Sequence, residues 1–183
     1  RDLRMSRGLG DVYKRQDQYI DDLMAYEGIV DGYDFDDEWA KYGEKGYPQA
    51  NTTSYSMMIN KLRSRTDKII SVFDFGNTYT LDATAIANID MAYYADLGRY
   101  GSPNFNIPMS KYTPYLCDLT KNPATALVKT YTTRAMNANA AGITFFNLRM
   151  EPSNGLSRFN AAAQAFGLTC SHSGKTYAKD YGN

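Results

Sequence analysis

The sequence predicts an α/β fold built on a parallel sheet. Helical and strand-like segments alternate along the chain, and Ile69–Phe75 is a nearly unbroken apolar, β-branched run. A strand that apolar is covered on both faces, and alternation of this kind is typical of parallel sheets. No glycine-rich phosphate loop follows any strand, which counts against a nucleotide-binding open sheet and favours a closed barrel.

The elements of the first half follow from local patterns. Apolar residues at helical spacing predict a helix over about 17–27, with Gly28 near its C-terminal cap. Gly28 then opens a strand whose far end, up to Glu38, is rich in carboxylates. A Thr-rich start followed by one apolar face predicts the next helix over 53–65. The Ile69–Phe75 strand follows it.

The second half continues the alternation, which gives five strands in all. Asp82 is the predicted N-cap of a short helix. The remaining elements are a strand ending near Tyr94, a weaker strand over 111–119, a helix from Pro123 to about Asn139, a strand over 142–148 and a helix over 157–166.

Charge and composition exclude several functional classes. The 183 residues include 20 Lys+Arg and 20 Asp+Glu, so no basic field favours nucleic acid. No apolar run approaches the roughly 18 residues of a membrane span. Cys117 and Cys170 match no metal-site spacing, and we expect two separate buried thiols, with one disulfide as the alternative.

Residues 1–16 differ from the rest of the chain. They hold five of the 20 basic and two of the 20 acidic residues without any apolar period, so the remaining 167 residues carry a formal charge of −3. Such a string is typical of spuriously translated adaptor or vector sequence, with a native basic arm as the alternative. We therefore expect a non-native leader over 1–16, one domain over 17–168 and a polar tail over 169–183.

The carboxylates in DGYDFDDE form the strongest functional signal. Asp34, Asp36 and Glu38 are two residues apart, which on a strand places them on one face at intervals of about 6.6 Å. Like charges crowded at a strand end raise the pKa of at least one group, and the outermost, Glu38, is the natural general acid. A solvated acidic loop and a divalent cation site are the alternatives.

The pattern D-x-x-D-x-D-x-E, from Asp31 to Glu38, resembles the signature of family 18 glycoside hydrolases, and most closely the endo-β-N-acetylglucosaminidases of the H and F type. DKIIS at Asp67–Ser71 and GITFFNL at Gly142–Leu148 are similar to later strands of that family. The resemblance implies that 17–168 is a partial glycosidase domain, the C-terminal part of a (β/α)8 TIM barrel with about five of its eight strands and a truncated N-terminus.

The resemblance also implies a mechanism without a cofactor or metal. Glu38 would protonate the glycosidic oxygen, Asp36 would hold the 2-acetamido N–H, and Asp34 would share a proton with Asp36. The carbonyl oxygen of the sugar would attack the anomeric carbon and form an oxazolinium, so that configuration is retained. Asp31 is expected to hold the strand end and is a further candidate for sugar contact.

Two more sugar-binding candidates lie in later strands. Tyr93, in the run Met91–Tyr94, matches the tyrosine that supports the acetamido carbonyl in chitinases, although Tyr94 replaces the aspartate expected there. Asn147 follows the last strand and could contact sugar or cap the strand end. Chitin or chito-oligosaccharide hydrolysis, or a catalytically silent sugar-binding protein, are therefore alternatives to N-glycan cleavage.

Aromatic residues in or beside the connections suggest an oligosaccharide groove, because a tyrosine offers an apolar face and a hydroxyl. The Arg99–Lys111 connection, which contains some of these aromatic residues, is long enough to be a functional loop. The candidates are Tyr42, Tyr47, Tyr100, Phe105, Tyr112 and Tyr115.

The resemblance completes the expectations for the whole protein. The substrate would be an N-glycan or chito-oligosaccharide, the protein a monomer, and its location the periplasm, the cell surface or outside the cell. A complete barrel takes about 250 residues, so we expect 183 residues to be a fragment, poorly stable and inactive, without the signal region.

Overall fold

The computed structural model describes residues 9–38, 43–45, 51–148 and 155–171. Helices and strands alternate along most of the chain and group into two compact units. The first contains residues through Ala92 together with Asn104–Ile107, and the second contains Tyr93–Pro103 and residues from Pro108 onward.

The first unit carries two parallel strands and three helices. The predicted helix over 53–65 is confirmed as α2, whereas α1 begins at Leu9, inside the segment predicted to be foreign. The first strand begins at Gly32 rather than at Gly28, because hydrogen-bonded turns follow α1. The elements are α1 (Leu9–Met24), β1 (Gly32–Phe35), α2 (Ser54–Arg63), β2 (Ile69–Asp74), α3 (Ala83–Asn88) and the start of β3 (Met91–Tyr94).

Asp82 confirms its predicted capping role. Its carboxylate accepts a hydrogen bond from the backbone N–H of Ala85 at 2.8 Å, at the start of α3. This bond satisfies one of the donors that the first turn of a helix leaves unpaired. The sequence therefore fixes the start of α3 locally.

The strands β1 and β2 pair in parallel, in a register that joins Gly32 to Ile69 and Phe35 to Val72. Paired residues of neighbouring strands point to the same side of a sheet, and successive residues point to opposite sides. The pair therefore has a covered face, formed by the buried residues Tyr33, Phe35, Ile70 and Val72, and an open face, formed by Gly32, Asp34, Ile69 and Ser71.

Coverage on both faces was predicted for β2 and is only partly confirmed, because Phe73, on the same face as Ile69, is 7% exposed while the start of that face is open. Ile70 is fully buried, whereas its neighbour Ile69 on the open face is 51% exposed. On the covered face, the Tyr33 hydroxyl lies 3.3 Å from the carbonyl oxygen of Leu23 in α1. Helix packing therefore accounts for burial on one side of the sheet.

Polar contacts join α1 to α2 and to the turn that follows α2, within the same unit. The Lys61 ammonium pairs with Asp17 at 2.5 Å, and the Arg65 guanidinium pairs with Asp21 at 3.0 Å. Surface pairs of this kind contribute little energy individually. They lie at the surface beside the apolar faces of the two helices, which supply the buried side chains Ile20, Ile59 and Leu62.

The second unit is built around another parallel pair, formed by β5 and β6. The strand predicted over 111–119 is divided by Pro114, which has no N–H to donate to a ladder. The predicted last strand and last helix are confirmed, and the helix predicted from Pro123 begins at Thr125. The elements are β4 (Tyr112–Thr113), β5 (Leu116–Asp118), α4 (Thr125–Asn137), β6 (Thr144–Phe146) and α5 (Leu156–Ala165).

The core of the second unit lies between β5, α4 and α5. Buried Tyr115, Cys117 and Val128 pack in one cluster, and Phe145 meets Phe159 edge-on with ring centroids 4.5 Å apart. Cys117 and Cys170 are both free, which confirms two separate thiols, although Cys170 is only half-buried. The α/β class with parallel strand pairing is confirmed, while closure into a barrel stays a prediction.

Across the described residues, no helix combines the length and the apolar character needed to cross a bilayer.

Candidate functional site

The carboxylate cluster lies at the carboxyl end of β1. The strand was predicted to run to Glu38, but pairing with β2 stops at Phe35 opposite Val72. Asp34 is therefore on the open face of the strand, and Asp36 and Glu38 belong to the turn that follows. Carboxyl ends of parallel strands are where catalytic groups of barrel enzymes lie.

Asp34 is held by the neighbouring strand. Its carboxylate accepts a short hydrogen bond from the hydroxyl of Ser71, its register partner on β2. Both residues lie on the open face, where the Asp34 side chain is exposed. The strand pairing thus fixes the position of one carboxylate while leaving it accessible to a ligand.

Asp36 is the carboxylate of this cluster whose pKa is raised from its ordinary value. Desolvation of its carboxyl group, followed by the charges of Glu38 and Asp34, raises the pKa of Asp36, although the side chain remains exposed. The backbone N–H of Glu38 donates to the Asp36 carboxylate and acts in the opposite direction. The three predicted acidic residues are therefore electrostatically coupled, and Asp36 holds its proton more tightly than an isolated aspartate does.

A fourth carboxylate, Asp37, was not predicted to take part. It is half-buried, and its Oδ2 accepts hydrogen bonds from the backbone N–H and the side-chain amide of Asn77, at 3.0 and 3.2 Å. These bonds join the turn after β1 to the turn after β2. The sequence shows an acidic residue between Asp36 and Glu38 but not which segment it contacts.

The other predicted site residues belong to other elements of the fold. Asp31 precedes β1, at the amino end of the strand, where its backbone carbonyl accepts from the N–H of Ile69 at 3.3 Å. Tyr93 is half-buried in β3, and Asn147 is exposed just after β6 with a left-handed backbone (φ 63°). Tyr93 and Asn147 belong to the second unit, whereas the carboxylates belong to the first.

The predicted aromatic groove is wrong for most of its described members. Tyr112 and Tyr115 are fully buried, and Phe105 is 8% exposed, so packing occupies their rings. Tyr100 is half-buried and covered by the Arg134 guanidinium, 4.0 Å from its ring centroid. Tyr42 and Tyr47 lie outside the described residues.

Part of the Arg99–Lys111 connection is anchored at the end of β2. The buried Asp74 carboxylate accepts from the backbone N–H of Asn104 and from the Thr78 hydroxyl, both at 2.8 Å. Phe105 and Ile107 are buried beside this anchor in sequence. This stretch therefore packs in the first unit, and Asp74 uses both oxygens as a structural acceptor.

The described side chains contain no group of three or more His, Cys, Asp or Glu residues arranged to hold a metal ion. The acidic set at the carboxyl end of β1 consists of Asp36, whose pKa is raised, and its neighbours Asp34 and Glu38. A carboxyl group whose pKa is raised by its surroundings is suited to proton transfer. The geometry therefore fits general acid–base chemistry.

The chain is similar to an endo-beta-N-acetylglucosaminidase of Flavobacterium sp. (strain SK1022). The two sequences are 30% identical over an alignment of 105 residues, which covers 54% of this chain and 33% of the relative. The chain thus spans about a third of the length of this curated relative. No protein-family model matches it. The similarity supports a relationship to glycoside hydrolases at a coarse level.

Proposed function

We propose that this chain carries the catalytic acid of an endo-β-N-acetylglucosaminidase, of the H and F type within family 18, that cleaves the di-N-acetylchitobiose core of N-linked glycans. The observation that carries the proposal is the coupled set Asp34, Asp36 and Glu38 at the carboxyl end of β1. The similarity to an endo-beta-N-acetylglucosaminidase supports it. We also propose that the protein acts as a monomer, in the periplasm, at the cell surface or outside the cell.

In the proposed reaction, Glu38 donates its proton to the glycosidic oxygen as the bond from that oxygen to the anomeric carbon breaks. The acetamido carbonyl oxygen of the same sugar forms a bond to the anomeric carbon, which gives an oxazolinium. Water then attacks this carbon and gives a proton to Glu38, and the bond to the acetamido oxygen breaks. Two displacements at one carbon retain its configuration.

Asp36 and Asp34 assist the internal nucleophile. Asp36 accepts the acetamido N–H and stabilises the positive charge that develops on the oxazolinium. In this scheme Asp34 shares a proton with Asp36, whose pKa is raised by desolvation and by the charges of Glu38 and Asp34. Ser71 keeps Asp34 in place through its hydroxyl.

The test uses the complete reading frame in which this chain occurs. It is incubated with a glycoprotein that carries high-mannose or complex N-glycans, and with chitin oligomers, and the products are measured by mass spectrometry. We expect glycan release that leaves one N-acetylglucosamine on the protein. Cleavage of chitin oligomers only would favour the chitinase alternative suggested by the Met91–Tyr94 run, and binding without cleavage would favour a sugar-binding protein.

A further inference from the structure

The turn that carries Asp36 and Glu38 lies beyond the paired part of β1. Ladder pairing ends at Phe35 opposite Val72, whereas β2 continues to Asp74. A turn outside a ladder needs other contacts to hold one conformation. The position of the Glu38 carboxyl group therefore depends on what fixes the turn.

Asp37 supplies such a contact. Its Oδ2 accepts two hydrogen bonds from Asn77, one from the backbone N–H at 3.0 Å and one from the side-chain amide at 3.2 Å. Asn77 is only 8% exposed, so its donors are largely shielded from water. Hydrogen bonds to an ionised carboxylate are the stronger kind, particularly when the donors are buried.

The neighbouring Gly76 allows this contact because it has no side chain. It has a left-handed backbone (φ 62°), and a Cβ placed on it would meet the backbone oxygen of Asp37 and come within 2.7 Å of the Asp37 Oδ2. A glycine at this position allows the two turns to approach closely. The contact thus involves both the side chain and the backbone of Asp37.

We infer that Asp37 is a positioning residue, which clamps the Asp36–Glu38 turn onto the Gly76–Asn77 turn and so places the Glu38 carboxyl group for proton donation. The inference rests on the proposed function for the role of Glu38. Asp37 itself contacts neither the sugar nor the reacting atoms in this scheme. The clamp joins the turns that follow two adjacent strands. The Asp36–Glu38 turn is therefore held against the end of β2.

Amide hydrogen exchange tests the clamp without reference to activity. In Asp37→Ala, exchange at the Glu38 and Asn77 N–H groups should accelerate at least tenfold, while exchange at Ile70, whose buried N–H donates to the Asp90 carboxylate at 2.8 Å, stays unchanged. Asp67→Ala, which removes an exposed carboxylate just before β2, is the matched control and should leave all three rates unchanged. Unchanged exchange at Glu38 in Asp37→Ala would overturn the inference.

Steady-state kinetics of the complete reading frame test the consequence for catalysis. With a high-mannose glycoprotein as substrate, Asp37→Ala should lower kcat by about 10- to 100-fold, because a small misplacement of a reacting group costs that much, and should change KM less than threefold. Asp37→Asn keeps an acceptor oxygen and should recover most of kcat. If Asp37 had only a structural role, both variants would have a lower melting temperature, and Asp37→Asn would not recover kcat.

The two proposals fail in different ways. If Asp37→Ala retains full kcat while Glu38→Gln loses it, the clamp is wrong and the proposed function stands. If no variant and no native protein releases glycan but Glu38 exchange accelerates in Asp37→Ala, the clamp stands as a structural contact, and its catalytic role is overturned together with the proposed function. Should Asp37→Ala fail to fold, Asn77→Ala removes the side-chain bond and provides the same two measurements.

Discussion

The covered and open faces of the β1–β2 pair consist of alternate residues on the same strands, yet the covered face contributes to stability and the open face carries the candidate site. Tyr33, Ile70 and Val72 on the covered face are buried under helices, whereas Asp34 and Ser71 on the open face bond to each other and remain accessible. Burial of apolar area supplies folding energy, and access to solvent and ligand is needed for chemistry. Stability and function should therefore respond to different substitutions.

The largest effect should distinguish the two faces directly. Ile70→Ala removes a fully buried side chain from the covered face and should lower the free energy of unfolding by about 2–5 kcal/mol. Ile69→Ala removes the same atoms from a side chain that is 51% exposed on the open face, and the loss should stay below about 1 kcal/mol. Urea denaturation of both variants, followed by circular dichroism, measures the difference. Equal losses would contradict the assignment of the faces.

An intermediate effect is expected where the strands end. Gly76→Ala forces a side chain into a left-handed backbone and against Asp37, which should cost about 1–3 kcal/mol of unfolding free energy. Gly28→Ala is the matched control, because nothing lies within 4 Å of a Cβ placed there. A melting temperature for Gly76→Ala equal to that of the control would show that the turns approach less closely than the structure has them.

A smaller, pH-dependent effect on stability should come from Glu27, whose carboxylate accepts hydrogen bonds from Tyr33 and Thr66. Hydrogen bonds from Tyr33 at 2.7 Å and Thr66 at 2.8 Å lower the pKa of Glu27. Because the folded pKa is below the unfolded one, the stabilisation is complete above roughly pH 5 and is lost as the pH falls through the folded pKa.

Glu27→Gln should therefore lower the melting temperature at pH 7, and the difference from the native chain should shrink as the pH falls below 5. Glu44→Gln, at an exposed position, serves as the control and should show little difference at any pH. A difference for Glu27→Gln that grows toward acid pH would have the wrong sign for this account.

The smallest change in stability should come from the open face. Asp34→Asn removes one of the charges that raise the pKa of Asp36, so the pKa of Asp36 should fall, while the unfolding free energy changes by less than about 1 kcal/mol. Carboxyl ¹³C NMR titration of Asp36 measures the shift, with Asp67→Asn as the control. An unchanged or higher pKa of Asp36 would show that the two carboxylates are not coupled.

The sequence predicted those elements whose signals are local. The apolar face of α2 and the Asp82 carboxylate at the start of α3 require only neighbouring residues, and both were predicted correctly. Strand ends were predicted less well, since they depend on a partner. Alternating carboxylates suggested a strand up to Glu38, but pairing with β2 ends at Phe35.

The candidate site shows the same division. The spacing of Asp34, Asp36 and Glu38 was sufficient to predict a coupled carboxylate set, because their separation along the chain is short. The contact between Asp37 and Asn77 joins residues 40 positions apart, so no local pattern indicates it. Tyr112 and Tyr115 were assigned to a groove because they lie beside a connection, whereas tertiary packing buries both.

The proton-donor role of Glu38 is the central claim, and one comparison tests it most directly. Glu38→Gln in the complete reading frame should reduce release of high-mannose glycan by at least about a thousandfold, as expected when the acid of a two-step displacement is lost, while calorimetry shows that binding of the glycan is retained. Release at the native rate by Glu38→Gln would contradict the account.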